Sequence, residues 1–136
     1  MKYITGTTAF CIPCDLNSPC KWNATKKDFE NIILVESDDS VLKDYGIEKD
    51  KIIPYHSDEE LYNVANHVRA YLDMLLTGEY EALADIECSP DVRFEMFKQV
   101  RRLLARNDIP TVAYIGIDNF MQDIYGSLWR SFGEAM

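Results

Sequence analysis

The chain has 136 residues and a mass of 15.7 kDa, the size of one domain able to fold without a covalent or metal staple. Apolar residues make up 47 % and charged residues 27 %, which excludes a mainly disordered chain. A formal net charge of -9 excludes a nucleic-acid coat or a polybasic membrane binder, since both need positive surface.

The threonines and Gly6 interrupt the apolar character of the first ten residues, so no secretory signal is expected there. No membrane span is expected either. Both point to a cytoplasmic protein. The sequon Asn23-Ala24-Thr25 is then read as chance.

Tyr3 to Ile12 is dense in β-branched and aromatic residues and predicts a strand or hairpin bent at Gly6 and ended by Pro13. Residues 13–28 read as a loop. Ile32 to Val35 predicts a short buried strand. Turn signals follow at 37–40 and at Tyr45-Gly46, and Ile52-Ile53 before Pro54 predicts a short extended piece. From Ser57 the apolar period becomes helical. Ser57 with Glu60 matches the capping box, Leu61 to Leu76 follow at helical spacing, and Gly78 suits a C-terminal cap, so a helix over 58–77 is expected. A shorter helix is expected from Glu79 to Ile86. Ser89-Pro90 opens the next helix, with Met96, Phe97, Val100, Leu103 and Leu104 as its core face. Thr111 to Ile115 suits either a strand or a helical turn, and Asp118 is expected to cap a last helix reaching Phe132. The expected fold is a single α+β domain over 1–136. A small N-terminal β hairpin or sheet layer in a β-rich, irregular part (1–56) packs on three or four α-helices in a helical part (57–136).

The charge is unevenly spread. Residues 1–56 carry a net -2, residues 57–89 a net -7 with Arg69 as their one basic group, and residues 90–136 are balanced. A solvated helix face explains this most simply. The sharper reading is a surface for a basic protein partner, centred on Glu59, Glu60, Glu79 and Glu81. Tyr125 and Trp129, four residues apart, suit core packing or, alternatively, interface anchors. Lys98, Arg102 and Arg106, with Arg101 beside them, form a basic stripe expected to pair with the acidic helix, within the fold or across a homodimer. A phosphate site is the weaker alternative, because no Gly-rich loop accompanies it.

Candidate chemistry is sparse. Cys11-Ile12-Pro13-Cys14 is a C-x-x-C, and Cys20 follows, so Cys11, Cys14 and Cys20 are candidate zinc ligands that Cys88, His56 or His67 could complete. No second closely spaced pair accompanies them, and free or idle thiols are the expected state, with no cofactor. Pro13 disfavours a redox helix start at Cys14. On a helix over 58–77, Asn63, Asn66 and His67 share one side, with Arg69 and Asp73 further round. His67 there is a candidate general base or ligand, though a histidine bonded to a backbone carbonyl is the commoner outcome.

Met1-Lys2-Tyr3-Ile4-Thr5-Gly6, Pro13-Cys14, Asp44-Tyr45-Gly46-Ile47-Glu48, Val64-Ala65-Asn66-His67-Val68-Arg69-Ala70 and Ile117-Asp118-Asn119-Phe120-Met121 together resemble a family of small uncharacterised bacterial proteins. The resemblance spans most of the chain and carries no established activity. It implies an intracellular bacterial or phage origin, in the company of toxin–antitoxin and mobile-element genes. Where members have an asparagine this chain has Cys11, and where they have a histidine after the tryptophan it has Asn23, which argues against a shared metal site. The sequence therefore favours a non-enzymatic regulatory protein such as an antitoxin or an inhibitor of a nucleic-acid-handling enzyme. That protein binds a basic protein and not nucleic acid directly. A small enzyme or zinc module built on His67 or the N-terminal cysteines is the alternative.

Overall fold

A computed structural model describes residues 1–15 and 26–135. The fold is α+β, with two small antiparallel sheets and six helices among the described residues. Strand β1 (Lys2–Tyr3) pairs with β2 (Val35–Glu36), setting Tyr3 opposite Val35. Strand β3 (Ile47–Lys51) pairs with β4 (Tyr62–Ala65), setting Ile47 opposite Ala65. Ile4 joins the two sheets: its N–H donates to the Asn63 carbonyl, and its carbonyl accepts from the Ala65 N–H, both at 2.8 Å.

The helices are α1 (Gly6–Phe10), α2 (His67–Leu76), α3 (Tyr80–Ala84), α4 (Pro90–Leu104), α5 (Thr111–Tyr125) and α6 (Ser127–Ala135). Helix α2 is central. Every residue from His67 to Leu75 is buried, as expected of a helix enclosed by neighbours. It packs against α1, α3, α4, α5 and β4. One apolar core runs from Tyr3 and Ile4 through α2 to Met121 and Trp129. No helix among the described residues is long and apolar enough to cross a membrane.

Several expected elements hold. Ser89 and Pro90 open α4, α3 falls within 79–86, and Gly78 follows α2 with φ +75°. Four differ. Residues 6–10 form α1 and not a second strand: Ala9 and Phe10 are buried where α1 meets α2, and Gly6 makes the break with φ +70°. Ile33 is 79 % exposed, so 32–35 is no buried strand, and only its end pairs, as β2. The helix expected over 58–77 begins only at His67. Val64 and Ala65 lie in a strand bonded on both sides, and the Ser57 signal closes a local turn, its Oγ accepting from the Glu59 N–H. The helix expected from Asp118 to Phe132 is two helices, since α5 starts at Thr111 and Gly126, at φ +52°, separates it from α6.

Candidate functional site

The start of α2 is built from polar residues that the sequence grouped for chemistry, and the fold uses each of them structurally. Asn66 is the N-cap, its Oδ1 accepting from the Arg69 N–H at 2.8 Å. Asn63 lies in β4; its Nδ2 donates to the Lys2 carbonyl, and its Oδ1 accepts from the Asp50 N–H. His67 is 1 % exposed, sits against the Phe10 ring, and its Nε2 meets the Ile12 carbonyl at 2.9 Å. Burial holds its pKa below the ordinary histidine value, outweighing the hydrogen bond to Ile12. A base or ligand must reach its substrate, and His67 is enclosed and committed to backbone. The expectation of an active site on Asn63, Asn66 and His67 is therefore corrected: they fasten β4 and α1 to α2.

Beside them lies a network of which only Arg69 and Asp73 are neighbours on one helix. Arg69 is 0 % exposed. Its Nε donates to Asp73 Oδ1 at 2.8 Å, one turn along α2. Its Nη1 donates to the carbonyls of Lys43 and Tyr45, and its Nη2 to the Tyr3 hydroxyl at 2.9 Å. The hydroxyls of Tyr3 and Thr5 donate to Asp73 Oδ2 at 2.6 and 2.7 Å. Burial raises the Tyr3 pKa, and its bond to the Asp73 carboxylate adds to that. The planar guanidinium thus ties β1, the turn before β3 and α2 together, and its charge is neutralised internally.

That network floors a cavity of about 360 Å³. Val35, Val41, Met74 and Leu76 supply aliphatic walls, and Asp73 and Thr5 face it from below. Among the described residues, Glu36, Asp39 and Glu79 are its other acidic lining groups, and no basic side chain lines it. A second, open hollow of about 410 Å³ lies around α3, lined by Glu79, Glu81 and Asp85 among others. Glu79 belongs to both.

The acidic residues of 57–89 divide cleanly. Asp73 is buried on Arg69, whereas Asp58, Glu59, Glu60, Glu79, Glu81, Asp85 and Glu87 are all exposed. Glu60 meets His56 Nδ1 at 3.1 Å, and the Thr77 hydroxyl donates to Glu79. The segment's single cation is internal, so its surface carries only carboxylates among its charged groups.

Among the described residues, the basic stripe forms no ion pair with them within the chain. Among the described residues its ion pairs are local, Lys98 with Glu95 and Arg106 with Asp108. Arg102 is exposed. The Arg101 guanidinium lies 3.8 Å from the centre of the Trp129 ring, and its Nη2 donates to the Trp129 carbonyl. This corrects two expectations. Arg101 pairs with an aromatic ring and not with the acidic segment. Trp129 is 0 % exposed, bonded through Nε1 to Asp118 and packed on Phe97, so it cannot anchor a partner. Tyr125 is half-buried, with its ring edge-on to Phe97, and is core as well.

Cys11 and Cys14 are half-buried thiols, the Cys11 Sγ donating to the Thr7 carbonyl. Cys88 is disulfide-bonded, which corrects the expectation of idle thiols at that position. Cys20 lies outside the described residues. No group of three or more histidine, cysteine or acidic residues among the described residues is placed to hold a metal ion. His56 is bonded to Glu60 and to the Phe29 carbonyl, and His67 through Nε2 to the Ile12 carbonyl.

Comparison with protein-family models, with curated proteins and with solved structures finds no match. The functional reading therefore rests on the site's own chemistry.

Proposed function

We propose that this chain is a non-enzymatic binding protein that presents a carboxylate surface to a basic protein. The supporting observation is the internal fate of Arg69. With that cation buried on Asp73, seven exposed carboxylates of one segment stand without a cation of their own segment at the surface. Clustered like charge costs stability through self-repulsion and favours capture of a partner of opposite sign. A protein whose working surface holds phosphates is such a partner, because its surface is basic. An inhibitor of a nucleic-acid-handling enzyme, or an antitoxin against one, is the concrete form. His67 was the strongest enzymatic candidate, and its burial removes the support for catalysis there.

Glu79, Glu81 and Asp85 around α3 are the positions to test. The wild-type chain, immobilised and exposed to an extract of its source cells, is expected to retain a basic protein that elutes as salt rises. The triple variant Glu79→Lys, Glu81→Lys, Asp85→Lys should lose it. Retention unchanged by the triple variant, or insensitive to salt, contradicts the reading.

A further inference from the structure

We infer that the cavity between β1, β2 and the C-terminal end of α2 receives a lysine or arginine side chain of that basic partner. The inference rests on the reading above and adds a defined pocket to it. Among the described residues, the cavity's charged lining consists of Glu36, Asp39, Asp73 and Glu79, with no basic residue, so it selects against an anion. Glu36 already pairs with an ammonium group, the α-amino group of Met1, at 2.7 Å. Asp39 and Glu79 are exposed and form no ion pair among the described residues.

Deeper in, Asp73 is 9 % exposed. A carboxylate offers about four acceptor positions, and Arg69, Tyr3 and Thr5 occupy three on Asp73. Asp73, which lines the cavity, thus keeps about one acceptor position. Val35, Val41, Met74 and Leu76 surround the space with aliphatic surface, which a bare metal ion would not use but an alkyl stem would. A volume of about 360 Å³ is at the small end for a ligand site, suited to one side chain and too small for a helix. An aliphatic sleeve with a carboxylate rim is the complement of a long cationic side chain.

The test is an NMR titration of the full-length chain with three probes: Nα-acetyl-lysine N-methylamide, its arginine counterpart, and the neutral norleucine counterpart. The cationic probes should shift the Val41, Met74 and Leu76 methyl signals saturably. The norleucine probe should bind at least about tenfold more weakly. Val41→Phe, which fills the space, should abolish the response. The surface double variant Asp39→Asn, Glu79→Gln keeps the fold and should bring the cationic probes down to the norleucine level. Equal binding of norleucine, or no saturable shift at these methyls in the folded chain, overturns the pocket. Loss of the basic protein from the triple lysine variant while neither cation enters the cavity overturns the pocket alone and leaves the surface reading standing. Cation entry with no salt-dependent retention of a basic protein supports the pocket and defeats the surface reading.

Discussion

Replacing Arg69 by methionine keeps the aliphatic stem and removes four hydrogen bonds, to Asp73 Oδ1, the Lys43 and Tyr45 carbonyls and the Tyr3 hydroxyl. Lys43 and Tyr45 are exposed residues, so water can replace much of what their carbonyls lose. Asp73 has little such relief. It remains buried with two hydroxyl donors and no compensating charge. Breaking a buried pair in this way costs about 3–5 kcal/mol. Domains have only about 5–15 kcal/mol in total, so the variant loses a fifth of its stability or more. With a urea dependence of about 2 kcal/mol per molar, the unfolding midpoint should fall by about 2 M. The double variant Arg69→Met, Asp73→Leu leaves no buried charge and should recover at least half of the loss. A single variant costing under about 1 kcal/mol, or a double variant costing the sum of the two singles, would refute the argument.

Asn66→Ala should cost about 0.5–2 kcal/mol in urea unfolding, because α2 loses its N-terminal side-chain cap; an unchanged midpoint would show that the cap contributes nothing. Gly46→Ala should cost more than about 1 kcal/mol, since φ is +71° and a Cβ would stand 2.7 Å from the Arg69 Cβ. The two histidines should act on pH stability with opposite signs. His67 has its folded pKa depressed by burial, so below an unfolded value of about 6.5 the unfolded chain takes up the proton first and stability falls. His56 has its pKa raised, first by the Phe29 carbonyl and then by Glu60; its contribution is present below about 6.5 and disappears as pH rises through the folded value. Urea midpoints from about pH 7 to 5 should therefore drop less in His67→Gln and more in His56→Gln than in wild type; three coincident profiles would contradict both assignments. Alkylation of the denatured chain followed by mass spectrometry should label Cys11 and Cys14 without reductant and Cys88 only after reduction; labelling of Cys88 without reductant refutes its disulfide.

Elements whose signals are local were readable from the residues. Ser89-Pro90 opens α4 because the fixed φ and missing N–H of the proline suit the first turn itself. Gly78 follows α2 because the left-handed conformation there needs no distant partner. The start of α2 was misplaced because Leu61, Val64, Ala65 and Val68 satisfy helical spacing, while the bonds that make 62–65 a strand come from β3 and Ile4. The same limit hid the site. Arg69 and Asp73 are visibly one turn apart, but Tyr3 and Thr5, which complete the network and floor the cavity, lie about seventy residues upstream. Trp129 suits core packing first and an anchor as the alternative, and only the tertiary placement of Phe97, Asp118 and Arg101 around it decides for the core.

Composition alone determined that this chain carries a net charge of -9 and that residues 57–89 hold -7 of it. Counting cannot say which of those charges meet solvent. The tertiary structure decided that the segment's single cation is interior and its remaining seven carboxylates are outside. The physical reason is that the buried Arg69 finds acceptors for its N–H donors in three parts of the chain and its counter-charge in Asp73, whereas the other carboxylates have no such interior cation and stay in water.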